Sequence, residues 1–169
     1  MVERFAACPE HLHVQLPVSP TDVVIRQLEA EADELWSFVQ KKANKPWIWI
    51  AMDARTRQVI ALHVGDRSRE SAKELWAKIP LGYREQATFH TDQDDAYTGV
   101  IPAERHKAIT KHARKTTHIE RFHNTLRQRV SRLVRETLSF SKKLAHHIGA
   151  IKYFICHYNL TRVVAALPV

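Results

Sequence analysis

Three acidic residues occupy positions from which they could bind divalent cations. Asp33 lies at the start of a predicted β-strand, Asp92 at the end of another, and Glu120 near the start of a predicted helix. If the two strands are neighbours and the helix packs over them, the three carboxylates converge. Converging carboxylates that arginine does not fully neutralise favour hard cations with oxygen ligands, Mg²⁺ or Mn²⁺. Two such ions can activate an attacking oxygen and stabilise the leaving oxygen in a phosphoryl displacement, so the pattern predicts a two-metal site.

Asp53 competes with Asp33 for the role of first acid. It also ends a predicted strand, and on a hairpin that turns near Ala43-Asn44 it falls roughly opposite Asp33. It is therefore an alternative first acid, a residue that supports the first acid, or the start of an Asp-Ala-Arg-Thr turn. The sequence favours Asp33 and leaves Asp53 open. Asp94 and Asp95 are interpreted as turn and helix-capping residues.

The segment around Glu120 has the period of an amphipathic helix. Its apolar residues recur every three or four positions and are Ile119, Phe122, Leu126, Val130, Leu133 and Val134. A second stripe beside them contains Glu120, Asn124, Arg127 and Ser131, and a basic flank contains Arg121, Gln128, Arg132 and Arg135. Taken alone, the segment is equally consistent with a basic surface helix in which Glu120 pairs with an arginine.

The positive charge of the chain is concentrated in the same region. The net charge is +8, but residues 105–143 contain twelve Lys and Arg against two acids, whereas the rest of the chain contains fourteen against sixteen. Such asymmetry predicts a polyanionic partner, most commonly nucleic acid, with a merely solvated basic face as the alternative. Candidate DNA-binding residues in this region are Lys115, Arg121, Arg129 and Arg132.

Length and composition indicate one folded domain. The chain has 169 residues, of which 44% are hydrophobic and 26% charged, enough to bury a core. Cys8 and Cys156 are far apart and lack metal-ligand spacing, which predicts a reduced, cytoplasmic chain without a structural zinc site. No apolar run is long enough to cross a bilayer, and charged residues interrupt the first ten positions, so we expect neither a membrane span nor a signal peptide.

The order of the predicted elements indicates a mixed sheet. Strands are predicted at 33–39, 47–53, 59–64, 87–91 and 107–111, and helices at 68–79, 117–135 and from Ser139 or Ser141 through Tyr158. Short connections make the first three strands an antiparallel meander, and a helical crossover leads to the fourth. We therefore predict an α/β (α+β) fold with a mixed five-stranded sheet and flanking helices, the order of an RNase H-like fold. Residues 1–21 are predicted to be an irregular arm, 22–160 the catalytic domain, and 161–169 a C-terminal tail.

Five blocks of sequence resemble the catalytic portion of DDE transposases of the insertion-sequence-one family. They are Ala32–Val39, Trp49–Asp53, Val64–Ser68, Thr91–Asp92 with Tyr97, and, most specifically, His118–Phe122 with Asn124–Arg129 continuing to Leu138–Lys142. Together they cover about residues 22–160. One departure is His123, which stands where the family usually has Asn.

The resemblance implies an RNase H-like fold, two Mg²⁺ or Mn²⁺ ions, and DNA strand cleavage and strand transfer at the ends of an insertion sequence. It assigns the metal-binding, catalytic acids to Asp33, Asp92 and Glu120. It also implies that Asn124 and Arg127 position the acid or contact DNA.

Family members also carry an upstream zinc-binding and helix-turn-helix head, which Cys8 alone cannot build. We therefore expect a downstream reading-frame product that acts on DNA as a homo-oligomer, with an upstream-frame DNA-binding protein or as a fusion to it. The expected location is the nucleoid in the cytoplasm of a bacterium or archaeon, away from membranes. The alternative is a catalytically impaired DNA-binding remnant that regulates or competes with full-length transposase.

Overall fold

The computed structural model describes residues 28–92, 95–109, 117–133 and 140–166. The strands are β1 (Glu29–Trp36), β2 (Trp47–Asp53), β3 (Val59–Gly65), β4 (Thr88–Thr91) and β5 (His106–Ala108). The helices are α1 (Arg69–Lys78), α2 (Leu81–Gln86), α3 (Thr117–Arg129) and α4 (Leu144–Ala166), with short 3₁₀ turns at Asp95–Tyr97, Ala103–Arg105 and Ser131–Leu133. The predicted arm over 1–21 and Lys115 lie outside the described residues.

The strands form one five-stranded sheet in the order β3-β2-β1-β4-β5. β1 pairs antiparallel with β2 and β2 with β3, which confirms the predicted meander. α1 and α2 then carry the chain across to β4, which lies parallel to β1 on one side and to β5 on the other. The predicted mixed sheet with flanking helices is therefore confirmed.

The first strand was predicted too far along the chain. β1 begins at Glu29, so Asp33 lies within the strand rather than at its start. The segment Glu29-Ala30-Glu31-Ala32 has low intrinsic β-propensity, which is why the strand period was not recognised there. Pairing with neighbours on both sides outweighs that propensity, because β1 is the central strand of the sheet.

The predicted register of the β1–β2 hairpin was also wrong. Asp33 pairs with Ile50, and Asp53 pairs with Ala30. The prediction centred the turn near Ala43-Asn44, whereas the chain reverses earlier, after Gln40. Gln40 has a φ of 64°, and its N–H donates to the carbonyl of Ser141 at 2.8 Å. Asp53 therefore does not lie opposite Asp33.

Both faces of the sheet are covered, and β1 contributes to both apolar cores. One core lies between the sheet and α1, and includes Ala30, Ala32, Trp49, Ala51, Ala72, Leu75 and Ile79. The other lies between the sheet and the helices α3 and α4, and includes Leu35, Ile48, Ile50, Ile119, Phe122, Leu126, Ile151 and Ile155. Because side chains alternate along a strand, Asp33 shares the α3 face with Leu35, whereas Glu34 shares the α1 face with Ala32.

Two of the predicted helices end at other residues than expected. α3 ends at Arg129 rather than Arg135; Val130 and, in the 3₁₀ turn that follows it, Leu133 are still buried. α4 continues to Ala166, so the predicted tail is helical up to that residue; no Gly or Pro stops it before Pro168. In the described residues no helix combines the length and apolar character needed to cross a membrane.

A buried histidine ties the start of α4 to the β1–β2 connection. His147 is fully buried; its Nε2 is 2.9 Å from Ser37 Oγ and its Nδ1 is 3.1 Å from Ser141 Oγ. Because the Ser37 hydroxyl donates to the carbonyl of Pro46, Nε2 must donate to Ser37, and Nδ1 accepts from Ser141. Burial, together with the charge of Arg132, lowers the pKa of His147 to about 4. Both nitrogens of the neutral ring are therefore hydrogen-bonded.

Acid should destabilise the fold through His147. The unfolded chain takes up a proton on this residue below about pH 6.5, whereas the folded chain does so only near pH 4, so the free energy of unfolding falls across that window. The contribution of His147 to that fall should be about 3 kcal/mol. Urea unfolding across this range should therefore show a shallower pH dependence for His147→Gln than for the wild type.

The neighbouring His146 provides the control because it is exposed. His146→Gln should keep the wild-type pH dependence. An unchanged pH dependence in His147→Gln would contradict the assignment.

Candidate active site

The parallel pairing of β1 with β4 brings Asp33 and Asp92 together. The register matches Ala32 with Thr91, so the next residues along the two strands are Asp33 and Asp92. Both side chains are partly exposed at the edge where β4 ends. The structure thus juxtaposes two of the three predicted site acids.

Glu34 adds a third carboxylate at this position. One oxygen from each of Asp33, Glu34 and Asp92 lies within 4.8 Å of the others. Glu34 is buried, and its Oε1 accepts from Nε and Nη2 of Arg67 at 3.0 and 2.8 Å. Its Oε2 accepts from the hydroxyl of Tyr97 at 3.3 Å. Burial and the nearby negative charge of Glu34 hold the pKa of Tyr97 well above its ordinary value, so this hydroxyl remains a donor.

The three carboxylates, which we call the acid cluster, suit a hard divalent cation. Mg²⁺ and Mn²⁺ prefer carboxylate oxygens, and Mg²⁺ usually keeps several water ligands. Asp33 and Asp92 are open enough to solvent to leave room for those waters, while Arg67 and Tyr97 fix the buried Glu34. The donor set therefore fits the predicted cation.

Sequence reasoning did not select Glu34 as a site residue. Adjacent residues of a strand point to opposite faces, so strand alternation alone does not predict that Glu34 reaches the same point as Asp33. At the edge of the sheet, however, the longer glutamate side chain brings its carboxylate within reach of Asp33 and Asp92. The available signal was the Asp-Glu pair itself, in a strand otherwise rich in alanine.

Glu120 lies outside the acid cluster. It is exposed in the first turn of α3, a helix that packs against β1. One turn further along, Nδ1 of the buried His123 is 3.4 Å from Oδ2 of Asp33. Residues three apart on a helix have their Cβ atoms about 5–6 Å from each other. Glu120 therefore lies about one helical turn from the residue that contacts Asp33.

Glu31 is a buried acid that the sequence prediction also passed over. It is 2% exposed, and its Oε2 accepts the backbone N–H of Ile119 at 2.8 Å. Burial raises the pKa of Glu31 to about 7; the N–H donors of Ile119 and His118 act in the opposite direction, and the charges of Glu120 and Asp33 raise it further. Glu31 is therefore electrostatically coupled to two of the predicted site acids.

Asp53, the alternative first acid, is held in a different environment. It is buried, and its Oδ1 accepts from both the N–H and the hydroxyl of Thr56. Its Oδ2 accepts from the hydroxyl of Tyr83 in α2 at 2.9 Å. Oδ1 thus closes the β2–β3 turn, and Oδ2 anchors α2. The first contact agrees with the turn role that the sequence left open.

Most of the predicted DNA-binding residues lie on α3. Arg121, Asn124 and Arg129 are exposed there, whereas Arg127 and, on the following 3₁₀ turn, Arg132 are partly exposed.

The turn between β2 and β3 adds a basic residue that the sequence pattern had not connected with α3. Burial is the main cause that lowers the pKa of His118, and the positive charges of Arg57 and Arg121 lower it further. Arg57 is exposed, and its charge acts on His118 at the start of α3.

Solved structures with the same fold include retroviral integrases. The catalytic core domain of BIV integrase gives a TM-score of 0.50 at 14% identity, over 75% of this chain and 82% of that one. A chain of the simian T-cell lymphotropic virus intasome gives a TM-score of 0.52 at 12% identity, over 73% of this chain. The match spans about half, 47%, of that second chain. The likeness confirms the predicted RNase H-like fold.

Sequence comparison identifies the family. The family described as IS1 transposase matches residues 26–160. The InsB protein of insertion element iso-IS1n from Shigella dysenteriae is 35% identical over 132 residues, which are 76% of this chain and 94% of that protein. The InsB protein of insertion element IS1 4 from Escherichia coli K12 is 33% identical, over 77% of this chain and 76% of that protein. The chain therefore belongs to the IS1 transposase family.

Proposed function

We propose that this protein is a transposase catalytic domain that cleaves and joins DNA strands with the help of two Mg²⁺ or Mn²⁺ ions. The observation that carries the proposal is the convergence of Asp33, Glu34 and Asp92 at one edge of the sheet. Family membership gives that cluster its substrate class, since a transposase acts on DNA. The third catalytic acid in this proposal is Glu120, one helical turn before His123, the residue of α3 that contacts Asp33.

The residues of the site would divide the work between holding the metal and orienting its ligands. Asp33, Asp92 and Glu120 would hold the ions, with Glu34 as an additional ligand. Ions of this kind, when bound, activate the attacking oxygen of water or a 3′-hydroxyl and stabilise the leaving oxygen. Arg67 and Tyr97 hold Glu34 in place, so its carboxylate does not have to reorganise when a cation arrives. His123 restrains Asp33 on the α3 side.

The basic surface would hold the DNA backbone beside the acid cluster. Arg121 and Arg129 are exposed on the helix that carries Glu120, and Arg57 adds charge from the β2–β3 turn. Such contacts neutralise phosphates and position the strand without reading its sequence. We assign Asn124, Arg127 and Arg132 to the same surface; Lys115, which lies outside the described residues, stays a predicted DNA-binding residue.

The partners and the location that we propose follow from a DNA substrate. We propose that the protein acts on the ends of its insertion sequence and on target DNA, as a homo-oligomer assembled there. An upstream-frame DNA-binding protein, or a fusion to it, would supply recognition of the ends. The expected location is the bacterial or archaeal nucleoid.

Strand cleavage should require the acids, whereas DNA binding should not. Asp92→Ala and Glu120→Ala should each abolish Mg²⁺- or Mn²⁺-dependent nicking of DNA that carries the element ends. DNA affinity in a gel shift should stay the same or rise, because each change removes a negative charge from a basic surface. Both quantities are to be measured on the chain fused to a DNA-binding head specific for those ends.

Glu85→Ala provides the matched control, since Glu85 is an exposed acid on α2. It should leave nicking intact. Retained nicking in Asp92→Ala would contradict the metal-site assignment, and in Glu120→Ala it would remove Glu120 as the third acid. A wild-type chain that binds DNA and never nicks it would instead be the regulatory remnant.

The exposed arginines of α3 should contribute to affinity through charge alone. Arg121→Ala and Arg129→Ala should each weaken DNA binding on every sequence and reduce the slope of log K against log salt by about 1. Fluorescence anisotropy over a salt series measures this slope. Arg69→Ala, an exposed arginine on the helix that covers the opposite face of the sheet, should leave both quantities unchanged. Equal effects of all three substitutions would contradict a DNA surface centred on α3.

A further inference from the structure

A carboxylate buried in the middle of a sheet needs a physical reason, because removing a charged or polar group from water is costly. Glu31 is such a group: it is 2% exposed, and it lies on the central strand, paired with Met52 on one side and His90 on the other. The strand alternation places it on the face that α3 covers, together with Asp33 and Leu35.

The donors that satisfy Glu31 come from the start of α3. The first four N–H groups of a helix have no acceptor within the helix. Glu31 Oε2 accepts one of them, the N–H of Ile119, at 2.8 Å in a buried position, and the N–H of His118 also stabilises the carboxylate. A carboxylate at this end of a helix is further favoured by the helix dipole. Glu31, which belongs to β1, therefore caps the N-terminal end of α3.

A second contact between the same two elements fixes the direction of the helix. His123, four residues after Ile119, contacts Asp33, which is two residues after Glu31. Two residues of a strand advance about 6.6 Å. Four residues of a helix advance about 6 Å. The two spacings match, so the start of α3 runs alongside β1 in the same direction.

Glu120 lies between these two contacts. Ile119, which precedes it, is fixed twice: its N–H is held by Glu31, and its side chain is fully buried in the apolar core. A rotation or shift of the first turn of α3 would break the hydrogen bond to Glu31. It would also move Glu120 relative to Asp33.

We infer that Glu31 is a positioning residue that fixes the first turn of α3, and with it Glu120, relative to Asp33 and the acid cluster. This inference rests on the proposed function for the role of Glu120. Glu31 is not itself assigned as a metal ligand, because it is buried and one of its carboxylate oxygens already accepts the N–H of Ile119.

The hydrogen bond can be tested directly by amide hydrogen exchange of Ile119 in the full chain, followed by NMR. Glu31→Ala should greatly speed this exchange, because the N–H loses its acceptor. Glu31→Gln should keep it slow, because the amide oxygen can still accept. Glu29→Ala is the matched control: Glu29 lies on the same strand and the same face, but it is exposed.

The consequence for the site can be tested by titrating the protein with Mn²⁺ alone in a calorimeter. Substituting residues that orient metal ligands typically costs 10–100-fold in affinity. Glu31→Ala should therefore weaken Mn²⁺ binding by about tenfold or more. Glu31→Gln should stay close to the wild type, and so should Glu29→Ala. The Mn²⁺ concentration for half-maximal nicking should shift in parallel.

The outcomes separate this inference from the proposed function. A Glu31→Ala protein with slow Ile119 exchange or wild-type Mn²⁺ affinity would overturn the positioning role, even if the wild type nicks DNA. Glu31→Gln also decides the matter if Glu31→Ala fails to fold: loss of Ile119 protection without loss of Mn²⁺ affinity, or the reverse, would overturn the role. If the exchange and Mn²⁺ results hold while the wild type nicks no DNA, the positioning role stands and the proposed function fails.

Discussion

The parallel pairing of β1 with β4 is the constraint on which the site depends. These strands are distant in sequence, and α1 and α2 carry the chain between the meander and β4. The register that matches Ala32 with Thr91 leaves Asp33 and Asp92 side by side where β4 ends. A shift of one residue would turn one of the two side chains to the other face. Because β1 is buried against helices on both faces, that register is strongly specified.

Bringing several carboxylates together costs electrostatic energy, and the surrounding residues offset part of it. Arg67 and Tyr97 donate to Glu34, and His123 lies beside Asp33. Glu31 is stabilised by backbone N–H groups rather than by a cation. Glu34, Asp33 and Glu31 therefore each have a different type of partner. A divalent cation bound by the acid cluster would offset the remaining repulsion between the carboxylates. The arginines of α3 would neutralise the charge of a bound phosphate backbone.

Much of the fold was predictable because the segments with the clearest sequence patterns are also the segments that the tertiary structure buries. The strand β2 was recognised from its run of apolar residues, and the stripe of α3 from Ile119 to Leu126 from its helical period; the structure buries both. β1 was placed too late because Glu-Ala repeats do not have the composition of a strand, and only pairing on both sides makes them one. The roles of Glu31 and Glu34 were not predictable, because each depends on distant partners: Ile119 for Glu31, Arg67 and Tyr97 for Glu34. The position of Asp53 depended on where the β1–β2 hairpin turns, and the chain reverses after Gln40, a residue with a positive φ.

The central claim is that the edge of the sheet where β4 ends is a divalent-metal site. Its most direct test is an anomalous difference map from crystals of this chain grown with Mn²⁺. The account predicts a peak within coordination distance of carboxylate oxygens of both Asp33 and Asp92. No peak at that edge under saturating Mn²⁺, or a peak at Asp53 instead, would contradict it.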